Sequence, residues 1–178
     1  MNSTREYVKE QTNIMPKEKL CIFIDGGNVF HAANSLKIHI DLAKLVAALT
    51  GNRTLTRTYY YGATLNTPTQ QRFFDKLRHL GFTVKTLPLR QYDRIPFEKG
   101  IDVMLVTDML TLAHNNTYDI ALLVSGDKDF TYTLQELKTL GKTVEVAAFT
   151  HALASELQQA ADNTILLDHL IPNITLLK

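Results

Sequence analysis

The chain has 178 residues, 45% of them hydrophobic and 21% charged, and a formal net charge of +1. These values fit one ordinary globular domain whose core needs no staple, and they exclude binding to nucleic acid or membrane through overall charge, so any positive surface must be local. The one cysteine, Cys21, cannot pair internally, no Cys/His zinc spacing occurs, and no apolar run approaches the roughly 20 residues of a membrane span.

A reducing, cytoplasmic setting without a membrane partner is therefore expected. Met1 to Lys19 lacks the apolar core of a signal peptide. Residues 1–18 read as a polar N-terminal arm, 19–170 as the folded domain and 171–178 as a C-terminal tail.

Leu20 to Asp25 is continuously apolar until its final carboxylate, as in a parallel strand covered on both faces. Gly26-Gly27 allows a tight turn, and a helix starts near Asn28. Asp41 is placed to cap a helix from Leu42 to Leu49, which Gly51 stops. Thr54 to Ala63, rich in β-branched and aromatic residues, is the second strand. Pro68 opens a helix running to Leu80, and Phe82 to Leu89 is the third strand. Gln91 to Glu98 reads as an irregular loop, and Lys99-Gly100-Ile101-Asp102 leads into a helix ending near His114.

Ile120 to Val124 is the fourth strand, again apolar on both faces, closed by Ser125-Gly126-Asp127-Lys128-Asp129. A helix from Phe130 to Leu140, a strand from Lys142 to Phe149, a helix from His151 to Ala161 and a short strand at Thr164 to Leu167 complete the alternation. The expected fold class is thus α/β with a mainly parallel central sheet, and with its switch point between the first and fourth strands.

If those two strands are neighbours, Asp25 meets Asp127 and Asp129 at one crevice, and Asp102 at a helix start can join them. An all-oxygen set suits a hard cation, Mg²⁺ or Mn²⁺, rather than zinc. Carboxylate-held Mg²⁺ activates water and stabilises charge on a phosphate, the apparatus of phosphodiester hydrolysis. Each aspartate also has a plain reading as a helix cap or first-turn carboxylate. Asp108, six residues beyond Asp102 at about 100° each, faces elsewhere and reads as ion-paired.

The motifs Phe23-Ile-Asp-Gly-Gly-Asn28, Lys99-Gly-Ile-Asp-Val103 and Val124-Ser-Gly-Asp-Lys-Asp-Phe130, in this order, resemble those of the NYN domain family, its LabA-like branch in particular. That family is similar to PIN domains and FLAP-type nuclease domains. The resemblance spans about Leu20 to Leu170. It implies a PIN-like three-layer α/β/α sandwich, a ribonuclease site dependent on Mg²⁺ or Mn²⁺, and RNA as substrate. Carried onto this sequence, Asp25, Asp102, Asp127 and Asp129 match the acidic, metal-holding and catalytic positions, with Asn28 and Ser125 as polar positions beside them.

The expected activity is RNA hydrolysis by an activated water, leaving a 5′-phosphate and a 3′-hydroxyl. The alternative is a non-catalytic module binding RNA or protein through the same crevice. Among substrate-binding candidates, Asn28 orients Asp25, holds a phosphate or merely caps a helix, and Ser125 positions a carboxylate or water. Lys99 holds a phosphate or is a solvated loop lysine. Arg94, with Arg90, Tyr92 and Phe97, has the composition of a single-strand channel and equally that of a mobile loop. Of Tyr59-Tyr60-Tyr61, alternate faces make at least one a core residue, and Tyr61, nearest the strand end, is the candidate for base stacking. His31, one turn after Asn28, is the histidine best placed to look into the site.

Other acid-lined α/β folds fit less well. Phe149-Thr150 stands where a receiver domain needs lysine, Asp25-Gly-Gly-Asn28 lacks the second carboxylate of haloacid-dehalogenase-type phosphatases, and no Walker or dinucleotide glycine pattern is present. Self-association is left open.

Overall fold

The computed structural model describes residues 18–92, 95–97 and 100–176, with side chains for 18–89 and 100–176. Six strands form one sheet in the order β3 (Phe82–Pro88), β2 (Thr54–Thr64), β1 (Lys19–Asp25), β6 (Ile120–Val124), β7 (Thr143–Ala148) and β8 (Asn163–Leu166). Every pairing within it is parallel. The chain winds outward from β1 in one direction, then returns to the other side of β1, so strand order reverses between β1 and β6. In such sheets ligands bind outside the carboxyl ends of the strands where the order reverses.

Alternation along each strand sorts the core into two layers. Leu20, Ile22 and Ile24 face one side with Leu122 and Val124, under α1 (Gly26–Ser35), α2 (Leu42–Thr50), α3 (Pro68–His79) and the short α7 (Ile171–Ile174). Cys21 and Phe23 face the other with Leu123 and Val146, under α4 (Ile101–His114), α5 (Thr131–Thr139) and α6 (Ser155–Ala160). The expected α/β/α sandwich is the one observed. Burial pushes the Cys21 thiol up to about 11, so this lone cysteine is a core residue that stays protonated at neutral pH.

Helix starts follow their capping chemistry. Asp41 accepts from Ala43 N at 3.0 Å and Lys44 N at 3.2 Å, and Thr67 accepts from Gln70 N at 3.3 Å just before Pro68.

Three stretches differ from the sequence reading. The one read as a C-terminal tail, 171–178, begins with α7, whose Ile174 is 0% exposed in the core, and Thr175 bridges to Ile40. The stretch read as an irregular loop carries a short antiparallel hairpin, β4 (Arg90–Tyr92) and β5 (Ile95–Phe97). The single helix read over 151–161 is a 3₁₀ turn at Thr150–Ala152 followed by α6. The break has a tertiary cause: Ala154 N donates to Gly126 O at 2.9 Å, so the backbone between the two pieces is drawn to the loop after β6. No helix among the described residues is long and apolar enough to cross a membrane.

Candidate active site

The recess at the switch point is built from strand ends. Asp25 continues the alternation of Cys21 and Phe23, so it belongs to the face that α4 covers, but it lies past the last apolar pair of β1 and β6. It is 7% exposed. Its carboxylate is fixed from two sides: Oδ1 accepts from Asn28 N at 3.1 Å, capping α1, and Oδ2 accepts from Ser125 Oγ at 3.0 Å. The contact that caps α1 therefore also fixes a carboxylate that lines the recess.

The loop after β6 is held equally firmly. Ser125 Oγ accepts from Asp127 N at 3.3 Å, Asn28 Oδ1 accepts from Gly126 N at 3.0 Å, and Asp127 Oδ1 accepts from Asp129 N at 3.0 Å. Asn28 thus ties the start of α1 to the β6 loop across the crevice.

Asp25, Gly27, Asn28, His31, Asp102 and Asp127 line one open recess of about 260 Å³. Asp102 arrives from the first turn of α4, whose preceding Gly100 has φ +90°, a left-handed backbone that favours glycine. Partial burial, and after it the Asp127 and Asp129 carboxylates, hold the Asp102 carboxyl above the usual carboxylate range. Asp129 itself is exposed and does not line the recess, but its charge reaches Asp102.

Among the described residues, no three Asp, Glu, His or Cys side chains are grouped closely enough to hold one metal ion. The carboxylates stand around a rim without converging on one point.

Tyr61 does other work than expected, while Ser125 positions a carboxylate as its place in the sequence suggests. Tyr61 cannot stack a base: it is 0% exposed beneath α4, and its hydroxyl donates to Asp108 Oδ2 at 2.7 Å. Burial, with Asp108 beside it, pushes the Tyr61 phenol above its ordinary range. Asp108 in turn pairs with Lys85 at 2.6 Å, so it is the ion-paired residue its helical phase suggests. Ser125 is 1% exposed, and its hydroxyl donates to Asp25 and accepts from Asp127 N.

Arg94 and Lys99 lie outside the described residues, as does residues 1–17 of the arm, and the side chains of Arg90, Tyr92 and Phe97 lie outside the described set.

His31, the histidine expected to look into the site, lines the recess. Its signal is the three-residue spacing from Asn28 on one helix face. Beyond it lies a second hollow of about 490 Å³ between α1, the end of β2 and α3, which also touches Gly27 and His31. The adjacent pair Phe73-Phe74 signals it: neighbours about 100° apart on a helix do not share one direction.

Fold and recess together define an α/β protein with an acidic crevice at the switch point of a doubly wound parallel sheet. The NYN domain model matches residues 19–168, and the chain belongs to that family, whose members are in general nucleases. The chain is 30% identical over 156 residues to the Low amplitude and bright protein LabA of Synechococcus elongatus, with 83% of this chain and 82% of that protein covered. It is similar in structure, with a TM-score of 0.77 and 26% identity, to a crystal structure of a protein of unknown function from Vibrio parahaemolyticus, covering 90% of this chain and 97% of that one.

Proposed function

We propose that this chain is a cytoplasmic, metal-dependent ribonuclease that hydrolyses RNA phosphodiester bonds at the recess between β1 and β6. The observation that carries the reading is the lining of that recess: Asp25, Asp102 and Asp127, from three elements distant in sequence, face one hollow at the carboxyl end of the sheet. The donor set is rich in carboxylate oxygen and contains no thiolate, which suits Mg²⁺ or Mn²⁺.

Asp25, Asp102 and Asp127 are assigned to the ion, with Asp129 reaching it directly or through water. Asp102 and Asp129 stand open to solvent, where they would complete the donor set of the ion. The upward shift of Asp102 supports this reading, because a cation relieves the mutual repulsion that contributes to it. When bound, the ion supplies charge stabilisation to the phosphate and lowers the pKa of a water.

The rest of the work belongs to the chain. Ser125 and Asn28 N hold both oxygens of Asp25, and Asp129 N holds Asp127, so these two carboxylates are oriented before substrate arrives. Asn28, Lys99 and Arg94 are assigned to the RNA phosphates, the last two from the sequence alone.

One observation favours a second reading, a non-catalytic module that binds RNA or protein through the same crevice: among the described residues, no three acidic side chains converge as they stand. Incubation of purified protein with end-labelled single-stranded RNA separates the two. The ribonuclease reading expects cleavage with Mn²⁺ or Mg²⁺, products with a 5′-phosphate and a 3′-hydroxyl, and loss of activity in excess chelator. RNA binding with no cleavage in either ion supports the second reading.

A further inference from the structure

The hollow of about 490 Å³ beside the recess has the size of a small-molecule site. Phe30 from α1, Tyr60 from β2 and Phe73 from α3 give it aromatic walls. Phe73 meets Phe30 at 5.9 Å between ring centroids and 69° between planes, and Tyr60 at 5.8 Å and 78°. These edge-to-face contacts hold the rings at fixed angles to one another.

No Asp, Glu, Lys or Arg is among the described lining residues, so an ionic occupant finds no counter-charge there. Asn34, Thr69 and Gln70 add neutral hydrogen-bonding groups. Gln70 Oε1 already accepts from Leu65 N at 2.8 Å, which leaves the amide NH₂ as its donor. Flat apolar walls with a few neutral donors and acceptors suit a flat, uncharged, heteroaromatic group. The hollow and the acidic recess share Gly27 and His31, so one ligand can span both.

From this continuity we infer that the hollow is a nucleobase pocket. It receives one unstacked base of a single-stranded RNA whose adjoining phosphate lies over the recess, with His31 at the junction. The inference rests on the ribonuclease reading for its substrate, but base binding can be measured without cleavage.

The test is calorimetric titration of the protein with the four ribonucleoside 5′-monophosphates, and with ribose 5-phosphate as the baseless control. Wild type is expected to bind at least one monophosphate roughly tenfold or more tightly than the control. Phe73→Leu, which keeps apolar bulk but removes the ring, is expected to weaken that binding roughly five- to a hundredfold. Because Phe73 also packs on Phe74, a second variant guards against loss of fold: Asn34→Trp, at an exposed position on the rim, is expected to obstruct the mouth and weaken binding similarly.

Monophosphates that bind no better than ribose 5-phosphate overturn the pocket, even if wild type cleaves RNA. So does wild-type affinity in both variants, which includes the case of a hollow that serves a protein side chain. Base-dependent binding lost in either folded variant supports the pocket, even if no cleavage is found and the nuclease reading falls.

Discussion

Asp25→Asn is expected to lower the rate of RNA cleavage by at least about a hundredfold, with the melting temperature within a few degrees of wild type. Groups that merely orient a metal ligand are worth roughly 10- to 100-fold in affinity or activity, and a direct ligand is worth at least as much. Asparagine is nearly isosteric and caps helices about as well as aspartate. Its Oδ1 can still accept from Asn28 N, and its Nδ2 can donate to Ser125 Oγ in place of the bond now made at 3.0 Å. The substitution therefore removes the charge and keeps the architecture. Asp25→Ala removes both, and adds a loss of about 1 kcal/mol in stability from the missing cap. Single-turnover cleavage with thermal melts checks the pair. Full activity in Asp25→Asn would reduce Asp25 to a capping residue.

Gly126→Ala is expected to destabilise the protein by about 3 kcal/mol, within the range found for overpacked cores. A Cβ built on Gly126 stands 2.0 Å from the carbonyl oxygen of Ala152 and 2.6 Å from its carbon. Both atoms are backbone, so relief requires the segment after β7 to move, not a side chain to swing. That movement strains the Ala154 N bond to Gly126 O and shifts the loop carrying Asp127. The effect is steric and does not come from a left-handed backbone: Gly126 is absent from the positive-φ glycines. Urea denaturation checks it, through a lowered midpoint at an unchanged slope. A midpoint equal to that of wild type would mean that the two loops are not packed this tightly in solution.

How far the sequence reveals the molecule depends on whether local pattern or tertiary contact sets each feature. Leu20 to Ile24 and Ile120 to Val124 are apolar without alternation, which announces strands covered on both faces, and these are the two that meet at the switch point. Asp25 and Asp127 follow from the same pattern, since a carboxylate at the end of a buried strand has little place in a core. Tyr61 did not follow. Three consecutive tyrosines satisfy either phase of a strand, and only the packing of α4 decides that Tyr59 and Tyr61 lie together beneath it.

The helix read over 151–161 failed because its interruption depends on a bond to Gly126, 28 residues earlier than Ala154, which no local preference encodes. The hollow beside the acidic recess was legible only as an oddity of Phe73-Phe74, because its walls come from three separate elements.

One physical requirement underlies the proposed activity: the aspartates around the rim must close on one or two divalent ions. A crystal soaked in Mn²⁺, with anomalous scattering recorded near the manganese edge, measures this directly. The account predicts one or two strong peaks between the carboxyl ends of β1 and β6, ligated by Asp25 and by at least two of Asp102, Asp127 and Asp129. An empty recess at saturating Mn²⁺, or manganese bound only elsewhere on the surface, would contradict it.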